Sequence, residues 1–504
     1  MKQLRYIFIP ILLMLLATSC DKYLDVNADP DAPTQVSPDN RIKPLIRLSN
    51  GAAQWRGTRE VSVIMQYVAS YQAARSYDIW NYNASYYFWQ NTLVWAYPNA
   101  ADLILLGKET NSPHFTGVGE IFKSYLILSL SDQLGRMPWD DLYDGVHETI
   151  LMPKFEDQKT VYQKALDVLD QAIVDLSATG NAIPLNNRDG DILYQGDTQK
   201  WIKFAYALKA RYLNHYSKKS DLYNPDAVIE ACSKAFDGDG MDAEFAYSAD
   251  GSSTDANPWS VEGFGGFSSL TAPRYGGYSS FFVNMLKSSP LADSGIDPRL
   301  PIIMKPANNT GEYTGIVVGR GLDDGKTLDD YSNVPGGYYS SADSPFPFIT
   351  YSEVKFIEAE ARLRKNDVTG AISAYKEGVL ANMRKLGVSS DAIAEATAKM
   401  DALTTTDFTS GGDITSGLSY IMTQKYIAMV FNPETWVDMR RMDYSSAIYP
   451  NLNRPENVYS IFQDGEWIRA MCYEINEQNR NEENLGDNRP EVRLKTPVWW
   501  DTAE

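Results

Sequence analysis

The chain has 504 residues, a formal net charge of -19 and three cysteines. A body this acidic repels phosphate backbones, which argues against a nucleic-acid partner. Two cysteines beyond Cys20 are too few for a disulfide framework, so an apolar core must hold the fold, and a chain this long has ample interior.

The N-terminus reads as an address. Lys2 and Arg5 precede the apolar run Tyr6 to Leu16, and Ala17, Thr18 and Ser19 lead into Cys20. Charge, short hydrophobic stretch and small residues are the order of a secretory signal. The run is too short to span a bilayer, which takes about 20 residues. A cysteine at the cut is the mark of a bacterial lipoprotein, in which the thiol is acylated, although leucine usually stands where Ala17 stands here. The sequence therefore predicts a signal over 1–19, lipidation at Cys20, an extended tether over 20–40, and one helical domain over 41–504. No later stretch reads as a span.

Amphipathic helices dominate the rest of the chain. Apolar residues recur at helical spacing from Leu45 to Arg75, and again through Ile121, Tyr125 and Leu128 up to Gly135. Asp157 reads as the N-cap of a helix carrying Tyr162, Leu166, Leu169, Ile173 and Leu176, and another helix starts near Thr198. Residues 237–350 are dense in Gly, Ser, Asp and Pro and predict a loop-rich insertion with a few short strands. Helices return over Ser352 to Arg364, Ala371 to Lys385 and Ser416 to Phe431. The first two of these resemble a tetratricopeptide unit, with Ala359, a "KND" turn, Ala371 and Tyr375. The fold class predicted is mostly α, with tetratricopeptide-like pairs as a scaffold.

Catalytic signatures are missing. "GRGLDDGKT" lacks the spacing of a phosphate loop, and the acidic turns "DGDGMDAE" and "NNRDGDILYQGD" do not match the EF-hand pattern. His114, His147 and His215 stand singly, and no nucleophile elbow occurs. Neither cofactor nor metal is expected. Glycosidase chemistry needs only two carboxylates at a set separation, and 65 acids leave that alternative open.

Several stretches together carry a family resemblance. "CDKYLDVNADPDAPTQVSP", "IFKSYLILSLSDQLGRMPWDDLY", "GDTQKWIKFAYALKARYLNH", "DPRLP", "TYSEVKFIEAEA", "TQKYIAMVFNPETWVDMRRMDY" and the terminal "VWWD" resemble, in this order, the SusD/RagB lipoproteins of Bacteroidota. Gln424 and Lys425, followed by Trp436, Arg440 and Arg441, match the family's pattern. The resemblance implies a lipid-anchored, cell-surface binding protein without enzymatic activity. It also implies a SusC-like TonB-dependent outer-membrane transporter as partner and oligosaccharide as cargo. A peptide cargo and a surface glycosidase are the alternatives.

A sugar ring is gripped by an aromatic plate under its C–H face and hydrogen-bonding groups at its rim. Trp80 and Tyr82, flanked by Asp78 and Asn81, stand in polar sequence and are expected to be accessible. Trp259, Arg274, Tyr275 and Tyr278 stand among glycines of the insertion, with Tyr338 a further candidate. Trp499 and Trp500 are expected to anchor the tail.

Overall fold

The computed structural model describes residues 37–503 apart from 60, 75, 148, 186–189, 251–254 and 262–275. The expected signal, tether start and Cys20 lie outside the described residues, as do Arg274 and Tyr275.

The longer helices are α1 (Asp39–Ser49), α2 (Tyr97–Glu109), α3 (Pro113–Leu134), α4 (Gln158–Leu176), α5 (Thr198–Asn214), α6 (Pro225–Lys234), α7 (Ser280–Leu286), α8 (Tyr351–Arg364), α9 (Val368–Lys385), α10 (Ser390–Asp401), α11 (Thr415–Ala428) and α12 (Glu434–Arg441). From α2 to α6 each packs on the next; α6 then packs on α8, and α8 on α9. This succession of helix pairs is the mostly α, tetratricopeptide-like scaffold. Their ends obey local chemistry. The Asp157 carboxylate accepts from the Thr160 N–H at 3.0 Å, and Asp197 accepts from the Gln199 N–H at 3.0 Å. α3 stops where Gly135 takes φ +89°, a conformation that costs other residues. Close packing within the scaffold depends on Gly117, where a Cβ would lie 2.9 Å from the Ala172 carbonyl of α4. On the other side, a Cβ at Gly119 would lie 2.9 Å from the Ala100 carbonyl of α2.

The helix expected over 45–75 breaks early. After α1 the backbone widens into a π-helical turn, Asn50–Arg56, and Gln66 takes φ +60° just before β1 (Val68–Ala69). The apolar spacing there reflects burial on all sides, for Val61, Ile64, Met65 and Val68 are all fully enclosed. β2 (Ala243–Phe245) pairs antiparallel with β4 (Phe346–Ile349), and β1 with β3 (Gly277–Tyr278). Residues 237–350 thus supply both strands of one small sheet and one strand of the other, which joins them to the N-terminal segment.

Several charges buried in the scaffold are closed on partners. Arg211 of α5 grips both oxygens of Glu353 of α8, at 2.7 and 2.8 Å. Arg441 of α12 grips Glu360 in the same fork, at 2.7 and 2.8 Å, and Asp438 at 2.6 Å. Asp438 also meets Lys425 of α11 at 2.7 Å. The tail is locked in as expected. Trp500 is fully buried and its indole N–H donates to Asp132 at 3.0 Å. Asp501 sits between Lys218, at 2.9 Å, and Arg469, at 3.2 Å. Cys232 and Cys472 are both buried and unpaired.

Candidate ligand cleft

Among the described residues the aromatic candidates do not form an exposed plate. Trp80 is 0 % exposed: its backbone turns at φ +65°, and the ring packs between Phe462 and Trp467, each 5.4 Å away. Asp78 is buried too, accepting from the Ser70 N–H and the Gly319 N–H, both at 3.0 Å. The polar neighbour Asp78 therefore serves a turn rather than solvent. Tyr82 is buried, with its hydroxyl on the Tyr77 carbonyl. Trp259 stacks on Phe431 at 4.0 Å and meets Trp55 edge-on at 5.1 Å. Tyr278 lies in β3 and its hydroxyl donates to the Ile303 carbonyl at 3.1 Å. Asn81 and Tyr338 are half-buried.

A cleft of about 470 Å³ opens beside these packed rings. Phe281 and Met285 of α7, Ile427 of α11 and Val318 make its apolar lining. Around them stand Gln66, Asn284, Gln424, Asn451 and Asn453, with Arg454 as the one charged residue among the described ones. α7 is set in place by Ser279, whose hydroxyl accepts from the Phe282 N–H and donates to the Gln66 carbonyl. Phe281 rests edge-on against Tyr426 at 5.6 Å. Gln424 is held by Arg299, which Asp297 clasps at 2.8 Å through two nitrogens. Asn451 stands at φ +66°, and the Asn453 side-chain amide donates to its carbonyl at 2.9 Å. Such a surface offers apolar contact and many amide hydrogen bonds. Among the described residues it lacks the carboxylate pair on which glycosidase chemistry depends.

Apart from Gln424, which carried the family resemblance, none of these residues stood out in the sequence. They come from five distant stretches, and the signal that pointed nearest was the asparagine- and proline-rich run "YPNLNRPEN". A larger hollow, about 740 Å³, lies where the described chain begins, but its Arg41 is already paired with Asp102 at 3.2 Å.

Among the described residues one group has the donor atoms of a metal site: Asp132, His215 and Glu434, all buried. Its geometry is that of an ion pair. His215 Nε2 meets Glu434 at 2.6 Å while Nδ1 faces the Tyr162 hydroxyl at 2.7 Å and Asp132 at 3.6 Å, so both ring nitrogens are taken from opposite sides. Burial alone would lower the imidazole's pKa, but Glu434 and Asp132 outweigh it and raise it to about 9. The acidic turns are likewise structural. Asp191 accepts from the Leu193, Tyr194 and Gly196 amides and from the Trp201 indole, and Asp242 pairs with Lys385 at 2.6 Å.

Helix pairs thus present loops and one short helix around a cleft that carries no acid among the described residues. The chain belongs to the SusD-like family described as "Starch-binding associating with outer membrane", whose model matches residues 33–473. Solved structures share the fold. A SusD/RagB family protein from Bacteroides thetaiotaomicron is 21% identical with a TM-score of 0.70, over 93% of this chain and 99% of the other. A SusD homologue from Bacteroides uniformis is 18% identical with a TM-score of 0.72, over 93% and 99%. A chitin-binding SusD homologue from Flavobacterium johnsoniae is 17% identical with a TM-score of 0.71, over 92% and 98%. No curated protein matches the chain. Among the described residues no helix is long and apolar enough to cross a membrane.

Proposed function

We propose that this protein is a lipid-anchored, cell-surface glycan-binding protein that captures oligosaccharide in the cleft between α7, α11 and residues 450–454, and passes it to a SusC-like TonB-dependent transporter. Family membership supports glycan binding at the outer membrane, and a chitin-binding relative with the same fold favours a sugar ligand. The observation that carries the reading is the cleft lining: an apolar strip bordered by amides, the pairing that a sugar's C–H face and hydroxyl rim call for. Family membership favours binding without turnover. Asn81 and Tyr338, which keep some surface, and Arg274 and Tyr275 remain candidates for outlying contacts.

The lipid on Cys20 holds the body at the membrane. A partner is favoured by Val146, Ile150, Leu151 and Met152, apolar side chains left in water between α3 and α4, with Leu151 85 % exposed. Calorimetry of the full chain in detergent against chito- and malto-oligosaccharides tests the reading. Binding that Asn284→Ala weakens supports it; release of new reducing ends, or binding of peptides alone, overturns it.

A further inference from the structure

Arg454 is the one charged group of the cleft among the described residues, and its surroundings engage only one edge of its guanidinium. Its Nη1 donates to the carbonyls of Phe462, at 2.5 Å, and Glu466, at 3.3 Å. Among the described residues no carboxylate pairs with it, and Nε and Nη2 have no protein acceptor, although they are not sealed from solvent. This is not for want of acids nearby. Glu456, two residues on, is held by Arg320 at 2.6 Å, and Glu466 by Lys495 at 3.0 Å. In a chain with 65 acids and 46 basic residues, the described wall of the cleft around Arg454 carries no carboxylate at all.

We infer that the cleft selects an acidic saccharide, with Arg454 receiving a uronate carboxylate among the amides of Asn284, Asn451 and Asn453. Two free N–H groups on one planar guanidinium match the two oxygens of a carboxylate, a bidentate contact that a hydroxyl cannot reproduce. The carbonyls of Phe462 and Glu466 fix the guanidinium beforehand, so little side-chain freedom is lost on binding. The chain's overall negative charge opposes polyanions at long range, which favours ligands with one or a few carboxylates over densely sulfated chains.

This inference rests on the glycan reading, and the experiment separates the two. The full chain in detergent is titrated with short oligosaccharides carrying glucuronate, galacturonate or mannuronate, each beside its own methyl ester, and with neutral chito- and malto-oligosaccharides. The expected result is that at least one acid binds about ten- to a hundredfold tighter than its ester. Arg454→Gln should remove that gap, and Arg454→Lys, which keeps the charge but loses the fork, should restore only part of it. The wild-type acid-to-ester ratio needs no variant and stands even where Arg454→Gln unfolds. Equal affinity for acids and esters, or binding of neutral sugars alone, overturns the inference and leaves the glycan reading intact. Binding of no saccharide, or of peptides only, overturns both.

Discussion

The scaffold and the cleft wall handle charge in opposite ways. In α5, α8, α11 and α12 the guanidinium groups of Arg211 and Arg441 and the ammonium of Lys425 are fully enclosed, each closed on a carboxylate. At the cleft, two nitrogens of Arg454 have no acceptor among the described residues, and three asparagines line the wall beside it. A buried ion costs several kcal/mol in desolvation unless its partner is in place, so paired charges inside report on folding. An unpaired charge beside solvent costs little and is left to meet something else. The contrast teaches that in this family member the paired charges and rings inside hold the shape, while the proposed recognition falls to a few polar groups at the cleft.

The sharpest way to break the scaffold side is Glu353→Ala, which strands Arg211 in the interior. It is expected to cost about 3–5 kcal/mol in denaturant unfolding. Trp80→Ala should cost a similar ~3–5 kcal/mol by emptying the space between Phe462 and Trp467. An unchanged melting temperature would instead return Trp80 to the surface. Next in size is a pH effect. Glu120 is pushed up to about 8 by burial and by Asp175, and His215 is raised to about 9 by its carboxylates against the opposing pull of burial. Both folded values lie above the ordinary ones, so the native state holds extra protons. The stability this confers is fully present below about pH 4.5 for Glu120 and 6.5 for His215, and is lost as pH rises through about 8 and 9. Melting temperature should therefore fall by a few degrees from pH 6 to pH 9, and Glu120→Gln should flatten the lower part of that slope.

On the cleft side, Asn284→Ala is expected to weaken saccharide binding about fivefold while shifting stability by less than about 0.5 kcal/mol. A matching loss of stability would make Asn284 part of the fold. The smallest effect concerns the thiols: Cys232 and Cys472 are enclosed and their ionisation is suppressed by burial. Both should resist a thiol reagent until the protein is denatured.

Outside the 45–75 stretch, several helix boundaries were legible in the sequence because their causes are local. Asp157, Asp197 and Gly135 each act on residues within a single turn, and the spacing of Tyr162 to Leu176 is preserved in α4. The anchoring role of Trp500 was legible too. Burial of Trp80 was not, because a polar turn looks the same whether its central ring points out or in; Asp78 spends its charge on the amides of Ser70 and Gly319, far apart in sequence. The cleft was hidden for a related reason. Gln66, Asn284, Gln424 and Arg454 have no common pattern until the fold joins their segments.

The docking of the last residues has a consequence for how the molecule is made. Trp500 and Asp501 fasten onto α3, on the Lys218 turn and on Arg469, all of which are synthesised earlier. A chain in which Trp500 and Asp501 have not yet reached these partners lacks that latch and stays pliable until they do. Cutting at residue 498 should thus leave a loosened, protease-sensitive body, and an affinity tag fused directly behind Asp501 should do comparable harm.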